Sequence, residues 1–254
     1  MHYDVHRPGS FCTTVLRTRD PQRAASFYTA LGGWTIQPVA GTRQHFLMLF
    51  DGKAVACLQD VFEGEDQWVP HVSVADIDHT VSAAIALGGT LVDTSDAAGF
   101  ARLATLRDQE GAHFGLWQAA PHQGAQMMDE VGSLWWLEVL ARDVETARTF
   151  YGRLFDWQSY DTVFQPFHSY TVFKRGDVQE GGILKSDPEW NTPPLWNSIF
   201  AVDDCDAVLE KACRLGGSTI FVHTVPTAGR IGGFIDPGGA SLVVRGPVDR
   251  SASL

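Results

Sequence analysis

Apolar side chains recur along this chain with two periods. Ala24, Phe27, Tyr28 and Leu31 stand at i, i+3, i+4 and i+7, the single face of an amphipathic helix, and Ala147, Phe150, Tyr151 and Leu154 repeat the spacing. Asp20 and Asp143 precede these faces where an N-cap belongs, and Pro21 suits the first helical position. Two further helices follow Asp76 and Asp204 and end at Leu87-Gly88-Gly89 and Leu215-Gly216-Gly217, where a glycine can take the left-handed conformation that closes a helix, and a strand follows each. Short β-rich segments bounded by Gly, Asp or Pro predict strands over 45–50, 54–58, 102–107, 112–117, 170–174 and 241–245.

These elements repeat. Asp20 to Trp34 returns as Asp143 to Trp157, offset by 123 residues, with Ala, Phe-Tyr, Leu and Trp at matching places. Val74-Ala-Asp76-Ile-Asp78 through Gly89 returns as Val202-Asp-Asp204-Cys-Asp206 through Gly217, offset by 128, and Trp68/Trp196 and Asp108/Asp236 keep that offset. Each half reads as two copies of a strand, an Asp-started helix and three strands. The chain therefore divides into four βαβββ modules, 10–60, 68–119, 132–186 and 195–247, in two domains, 8–119 and 132–247, joined by a linker over 120–131 that carries Pro121 and Gly124.

The Asp-x-x-x-Ala-x-x-Phe-Tyr-x-x-Leu-x-x-Trp helix, the helix ending Leu-Gly-Gly and the Asp-Pro-x-Gly-Ala strand entry at Asp236 resemble the vicinal oxygen chelate superfamily, that is glyoxalases, bleomycin-resistance proteins and dioxygenases. Within it the tandem arrangement is similar to two-domain glyoxalase-like proteins labelled hydroxylases, including a mycobacterial antigen type. The resemblance covers nearly the whole chain. It implies an α+β fold in which paired modules curl two mixed sheets into cups, with helices outside, and a metal held in the cup by His, Gln or Glu.

Strand alternation tests the metal, because only one face of each strand looks into a cup. Five residues before each helix-starting Asp stand Val15, His71, Glu138 and Ile199, and the last strands offer Gly115 and Val243 where the family has Glu. Pairing of consecutive modules would leave one donor per cup, so the expectation is a cup without a cofactor. Pairing across the halves would leave open a divalent metal on His71 and Glu138, assisted by His113 or His45.

Candidate site residues follow from the same faces. Glu138 stands among Trp135, Trp136, Leu137, Val139 and Leu140, where desolvation raises a carboxylate's pKa. Arg102 or Arg230 could partner it, or Glu138 could serve as general base or ligand anchor. His71 either bonds a neighbouring backbone or lines a cavity. Trp68, Trp117, Trp136 and Trp196 lie on strands that could wall the cups against a flat organic guest, whereas Phe27, Trp34, Phe150 and Trp157 belong to the core.

Charge and cysteines narrow the setting. With 30 acidic and 19 basic side chains the net charge is −11, which speaks against nucleic acid and anionic membranes as partners. Four cysteines with no paired spacing read as reduced, and no long apolar run suggests a signal or a span. The expectation is a cytoplasmic monomer or homodimer that binds a small apolar or aromatic molecule, by sequestration or as a metal-independent accessory enzyme. The alternative is a metal-dependent lyase or dioxygenase acting on vicinal oxygens through Glu138 and His71.

Overall fold

The computed structural model describes residues 5–97, 99–164 and 167–247, the side chains of 164, 167 and 168 aside. Among the described residues sixteen strands form two eight-stranded mixed sheets, of order β2 (Thr35–Pro38), β3 (His45–Phe50), β4 (Lys53–Asp60), β1 (Phe11–Thr18), β5 (Gln67–Ser73), β8 (His113–Ala119), β7 (Ala101–Arg107), β6 (Thr90–Ala97), and β10 (Gln158–Phe164), β11 (Phe167–Arg175), β12 (Val178–Lys185), β9 (Leu134–Ala141), β13 (Leu195–Ala201), β16 (Ser241–Gly246), β15 (Gly229–Ile235), β14 (Ser218–Val225). Consecutive modules thus share a sheet, the first from β1 (Phe11–Thr18) to β8 (His113–Ala119), the second from β9 (Leu134–Ala141) to β16 (Ser241–Gly246). In each sheet the two first strands meet antiparallel at the centre: β1 on β5 (Gln67–Ser73), and β9 on β13 (Leu195–Ala201).

Each helix starts where its aspartate caps it. Asp20 accepts from Arg23 N before α1 (Pro21–Gly32), Asp76 from His79 N before α2 (Ile77–Ala86), Asp143 from Glu145 N and Thr146 N before α3 (Val144–Phe155), and Asp204 from Ala207 N before α4 (Cys205–Arg214). Gly88 and Gly216, at φ 92° and 95°, turn the chain out of α2 and α4 into the edge strands β6 (Thr90–Ala97) and β14 (Ser218–Val225).

Alternation along the central strands sorts the side chains. Leu16, Trp68, Val72, Phe114, Leu137, Val139, Trp196 and Phe200 join the helix faces in one buried cluster that runs through both halves. Val15, His71, Trp117, Glu138 and Leu140 fall on the opposite, cupped faces. The halves are tied in matching pairs across the shared core. Tyr28 donates to Asp236 (2.9 Å) while accepting from Trp68 Nε1 (2.9 Å), and Tyr151 donates to Asp108 (2.8 Å) while accepting from Trp196 Nε1 (2.8 Å). Trp68 and Trp196, read from the sequence as cup walls, are therefore core residues, each spending its indole N–H on the tyrosine of its own half.

Candidate functional site

Glu138 stands at the centre of the second sheet. Its register partners are Gly182 on β12 (Val178–Lys185) and Asn197 on β13. Glycine at 182 is a spatial need: a Cβ there would run into the Tyr170 hydroxyl, which lies over it from β11 (Phe167–Arg175). The Glu138 carboxylate, half-buried, takes hydrogen bonds from Tyr170 and Asn197; burial nonetheless dominates and pushes its pKa up from the ordinary glutamate value. Tyr170 in turn accepts from Trp136 Nε1 at 2.8 Å. Trp136, Tyr170, Glu138 and Asn197 thus form one hydrogen-bonded row in the second cup. A cavity of about 160 Å³ shares only Trp136 with this row; Phe11, Leu134, Trp135, Leu137 and Glu180 also line it, so it does not open onto the Glu138 carboxylate.

The sequence reading found Glu138 and Trp136 in this row and missed Tyr170, Asn197 and Gly182. The signal was available in the repeat: at the same offsets the first half has Val15, Leu47 and Val69 where the second has Glu138, Tyr170 and Asn197. Arg102 and Arg230 do not join the row. Arg102 forms a two-pronged pair with Asp78 of α2 (3.0 and 3.1 Å), and Arg230 with Asp206 of α4, on the exposed helix side. Each arginine therefore neutralises a helix aspartate, and Glu138 is held by neutral donors instead.

The first cup is built differently. His71 is fully buried over Gly115, where no Cβ fits beside its ring, with Trp117 edge-on at 6.2 Å. Its Nδ1 meets the Val69 carbonyl at 2.9 Å, so Nδ1 carries the proton, and Nε2 has no partner among the described residues. Burial lowers the His71 pKa to about 4. Around it Val15, Cys57, Phe100, Leu103 and Trp117 fill the concave face, and Trp117 spends its indole N–H on the His122 carbonyl. His71 and Glu138 lie in different sheets and do not share a cup.

A family model described as a glyoxalase-like domain matches residues 13–117. Over 252 residues the chain is 32% identical to CFP32 of Mycobacterium tuberculosis, a protein named as a glyoxylase, covering 95% of this chain and 96% of that one. The chain belongs to the glyoxalase-like family of the vicinal oxygen chelate superfamily. This glyoxalase-like protein is also 29% identical to the anthracycline biosynthesis protein DnrV of Streptomyces peucetius, with 93% of each chain covered. Among solved structures, a Mn(II)-bound glyoxalase from Novosphingobium aromaticivorans superposes with TM-score 0.62 at 14% identity, over 94% of this chain and 82% of that one. Homoprotocatechuate 2,3-dioxygenase from Brevibacterium fuscum does so with TM-score 0.61 at 12% identity, over 92% and 79%.

The expectation of a cup without a cofactor is corrected by these neighbours: one of them carries Mn(II) in the same architecture, so a divalent metal belongs to the chemistry of the fold. The donors of the glyoxalase-like chain form an incomplete set for such an ion. Among the described residues no three or more His, Cys, Asp or Glu side chains converge where a metal could be held. Glu138 is bordered by Gly182 and Asn197, and His71 by Gly115.

Proposed function

We propose that the second cup binds a flat, oxygenated aromatic molecule and that Glu138 receives a hydrogen bond or a proton from a hydroxyl of that guest. The observation that carries this reading is the desolvated Glu138 carboxylate, on a partly exposed residue and fixed by Tyr170 and Asn197. A carboxylate whose pKa burial has raised is a better proton acceptor than one in water, and its two fixed donors set the direction from which a third must come. Trp136 and Tyr170 supply aromatic surface beside it for such a guest. The anthracycline biosynthesis name of DnrV supports the same guest class, since anthracyclines are hydroxylated polycyclic aromatics.

Titration with 1,8-dihydroxyanthraquinone, read by calorimetry, tests the reading. Saturable binding that Glu138→Gln weakens by about tenfold, the value of one charge-assisted hydrogen bond, is the expected result. Absence of binding, or equal binding by the variant, removes it.

A second reading, a metal-dependent lyase or dioxygenase, is favoured by the chemistry of the solved neighbours. Glu138 and His71 would serve separate cups in it, because they stand in separate sheets. Equilibrium dialysis against Mn(II) decides: about one ion retained per chain, lost in Glu138→Gln, supports it, and a background level retained by both proteins removes it. Cys12, Cys57 and Cys205, buried as free thiols, support a reducing, cytoplasmic setting for either reading.

A further inference from the structure

The first cup is shut by bonds that cross its mouth. β3 (His45–Phe50) stands second from one end of its sheet and β6 last at the other, yet His45 Nε2 and Ser95 Oγ share a hydrogen bond of 3.2 Å. From the centre of the sheet Arg17 reaches the same edge strand, giving Nη1 to Asp93 Oδ1 at 2.9 Å and Nη2 to Oδ2 at 2.5 Å, with a further bond from Nη1 to Thr105 Oγ1. The Arg17 side chain is 6% exposed and that of Asp93 is 39% exposed, so the guanidinium is the interior partner and the carboxylate arrives from outside. The second sheet cannot make this tie. At the same repeat offsets Leu140 replaces Arg17 and Phe221 replaces Asp93.

Two buried imidazole nitrogens inside the closed cup have no partner among the described residues, His71 Nε2 and His45 Nδ1. His71 lies in the field of Arg17, Asp93 and His45. Its Nδ1 proton is committed to Val69, so Nε2 presents a bare lone pair that only a donor can satisfy. An unmet buried acceptor is costly and is not offset by anything in the closed state. The cup therefore holds a guanidinium satisfied by a removable carboxylate and, within its field, an acceptor that no described residue satisfies.

We propose that the first cup is a latched binding site for a small hydroxycarboxylate, whose carboxylate takes the place of Asp93 on Arg17 while its hydroxyl donates to His71 Nε2. A planar two-oxygen anion matches the fork of the guanidinium as Asp93 does, and the hydroxyl is the group Asp93 lacks. Edge strand β6, carrying Asp93 and Ser95, is the part that moves. It is paired on one side only, to β7 (Ala101–Arg107), and most of its residues other than Ala97 are open to solvent. This site is separate from the Glu138 row and does not depend on the reading given for it.

The test uses the full chain with glycolate and acetate as probes, read by calorimetry and by thermal shift. Wild-type protein is expected to bind glycolate weakly and acetate more weakly still. Asp93→Ala, which removes the competing carboxylate, is expected to bind glycolate at least about tenfold more tightly than wild type, the value of one charge-assisted bond no longer displaced. His71→Phe in that background is expected to erase the preference for glycolate over acetate. Equal binding by wild type and Asp93→Ala, or no preference between the probes, overturns the proposal. Should Asp93→Ala not fold, Asp93→Asn supplies the same comparison. A thermal shift from ZnCl2 alone that disappears in His71→Phe also overturns it, in favour of a cation on the two imidazoles.

Discussion

Two glycines measure how tightly each cup is fitted to its chemistry. Gly115 and Gly182 occupy the places where His71 and the Tyr170 hydroxyl rest on the sheet, and a Cβ at either would meet those atoms. Gly115→Ala is expected to cost about 1–3 kcal/mol through overpacking, because the His71 ring is walled in and cannot retreat. Gly182→Ala should cost less and act on the site instead, since the displaced Tyr170 hydroxyl can shift toward the more open cup while releasing Glu138. Denaturant midpoints against probe affinity separate the two outcomes. His71 also has a pH signature. Its folded pKa, about 4, lies below the ordinary 6.5, so between those values the unfolded chain binds a proton that the folded chain does not. Stability contributed by the neutral ring is present above pH 6.5 and is lost as pH falls toward 4, by up to about 1.4 kcal/mol per pH unit. Urea unfolding at stepped pH should show His71→Phe with the shallower acid slope; identical slopes would mean that other groups carry the acid sensitivity. At this scale the sequence placed Val15, His71 and Glu138 on the cup faces, because alternation is a backbone property, but it put Trp68 and Trp196 there too, and both lie in the core. What holds Glu138 was legible only as a polar departure from the repeat at Tyr170 and Asn197, since their strands are brought beside it by the fold alone.

At the scale of elements, helices were legible and two of the four edge strands were not, for one physical reason. A helix here needs one apolar face and a cap, and both are written locally, as in Asp204 capping α4 over Leu209 and Ala212. Asp204→Ala should lower stability by about 1 kcal/mol, measured by thermal unfolding, without altering either cup. Strands β2 (Thr35–Pro38) and β10 (Gln158–Phe164) lie at sheet edges, and β2 carries no buried residue from which a period could be read. The two remaining edges, β6 and β14, follow their glycine turns as the sequence suggests, but their difference in role is invisible there. Only the curl of the first sheet brings Ser95 to His45 and Asp93 to Arg17. The same strand in the second half, with Phe221 and His223 at those places, leaves its cup unlatched by any such pair.

For the whole molecule, the repeat offsets revealed a duplication without saying how its parts pair. Alternation and capping are satisfied equally well whichever modules share a sheet, so pairing is decided by contacts between distant residues. Within each sheet these are the β1–β5 and β9–β13 pairings, and between the halves the matched ties of Tyr28 to Asp236 and Tyr151 to Asp108, each carrying a helix of one half onto the strand-entry turn of the other. Both aspartates also receive backbone N–H groups of their own turns, Gly238 and Ala240 for Asp236, Glu110 and Ala112 for Asp108. Replacing Tyr151 by Phe keeps the ring in the core, removes one donor from Asp108 and strands the Trp196 indole N–H, whose acceptor was that hydroxyl. The expected cost is about 1–3 kcal/mol for the unmet buried donor. Because the apolar cluster runs through both halves, that cost should appear as a lower midpoint of one cooperative transition, with tryptophan fluorescence and far-UV circular dichroism coinciding. Two separated transitions, with only the later residues' signal displaced, would mean that the halves fold independently and that the ties are surface decoration on two complete cores.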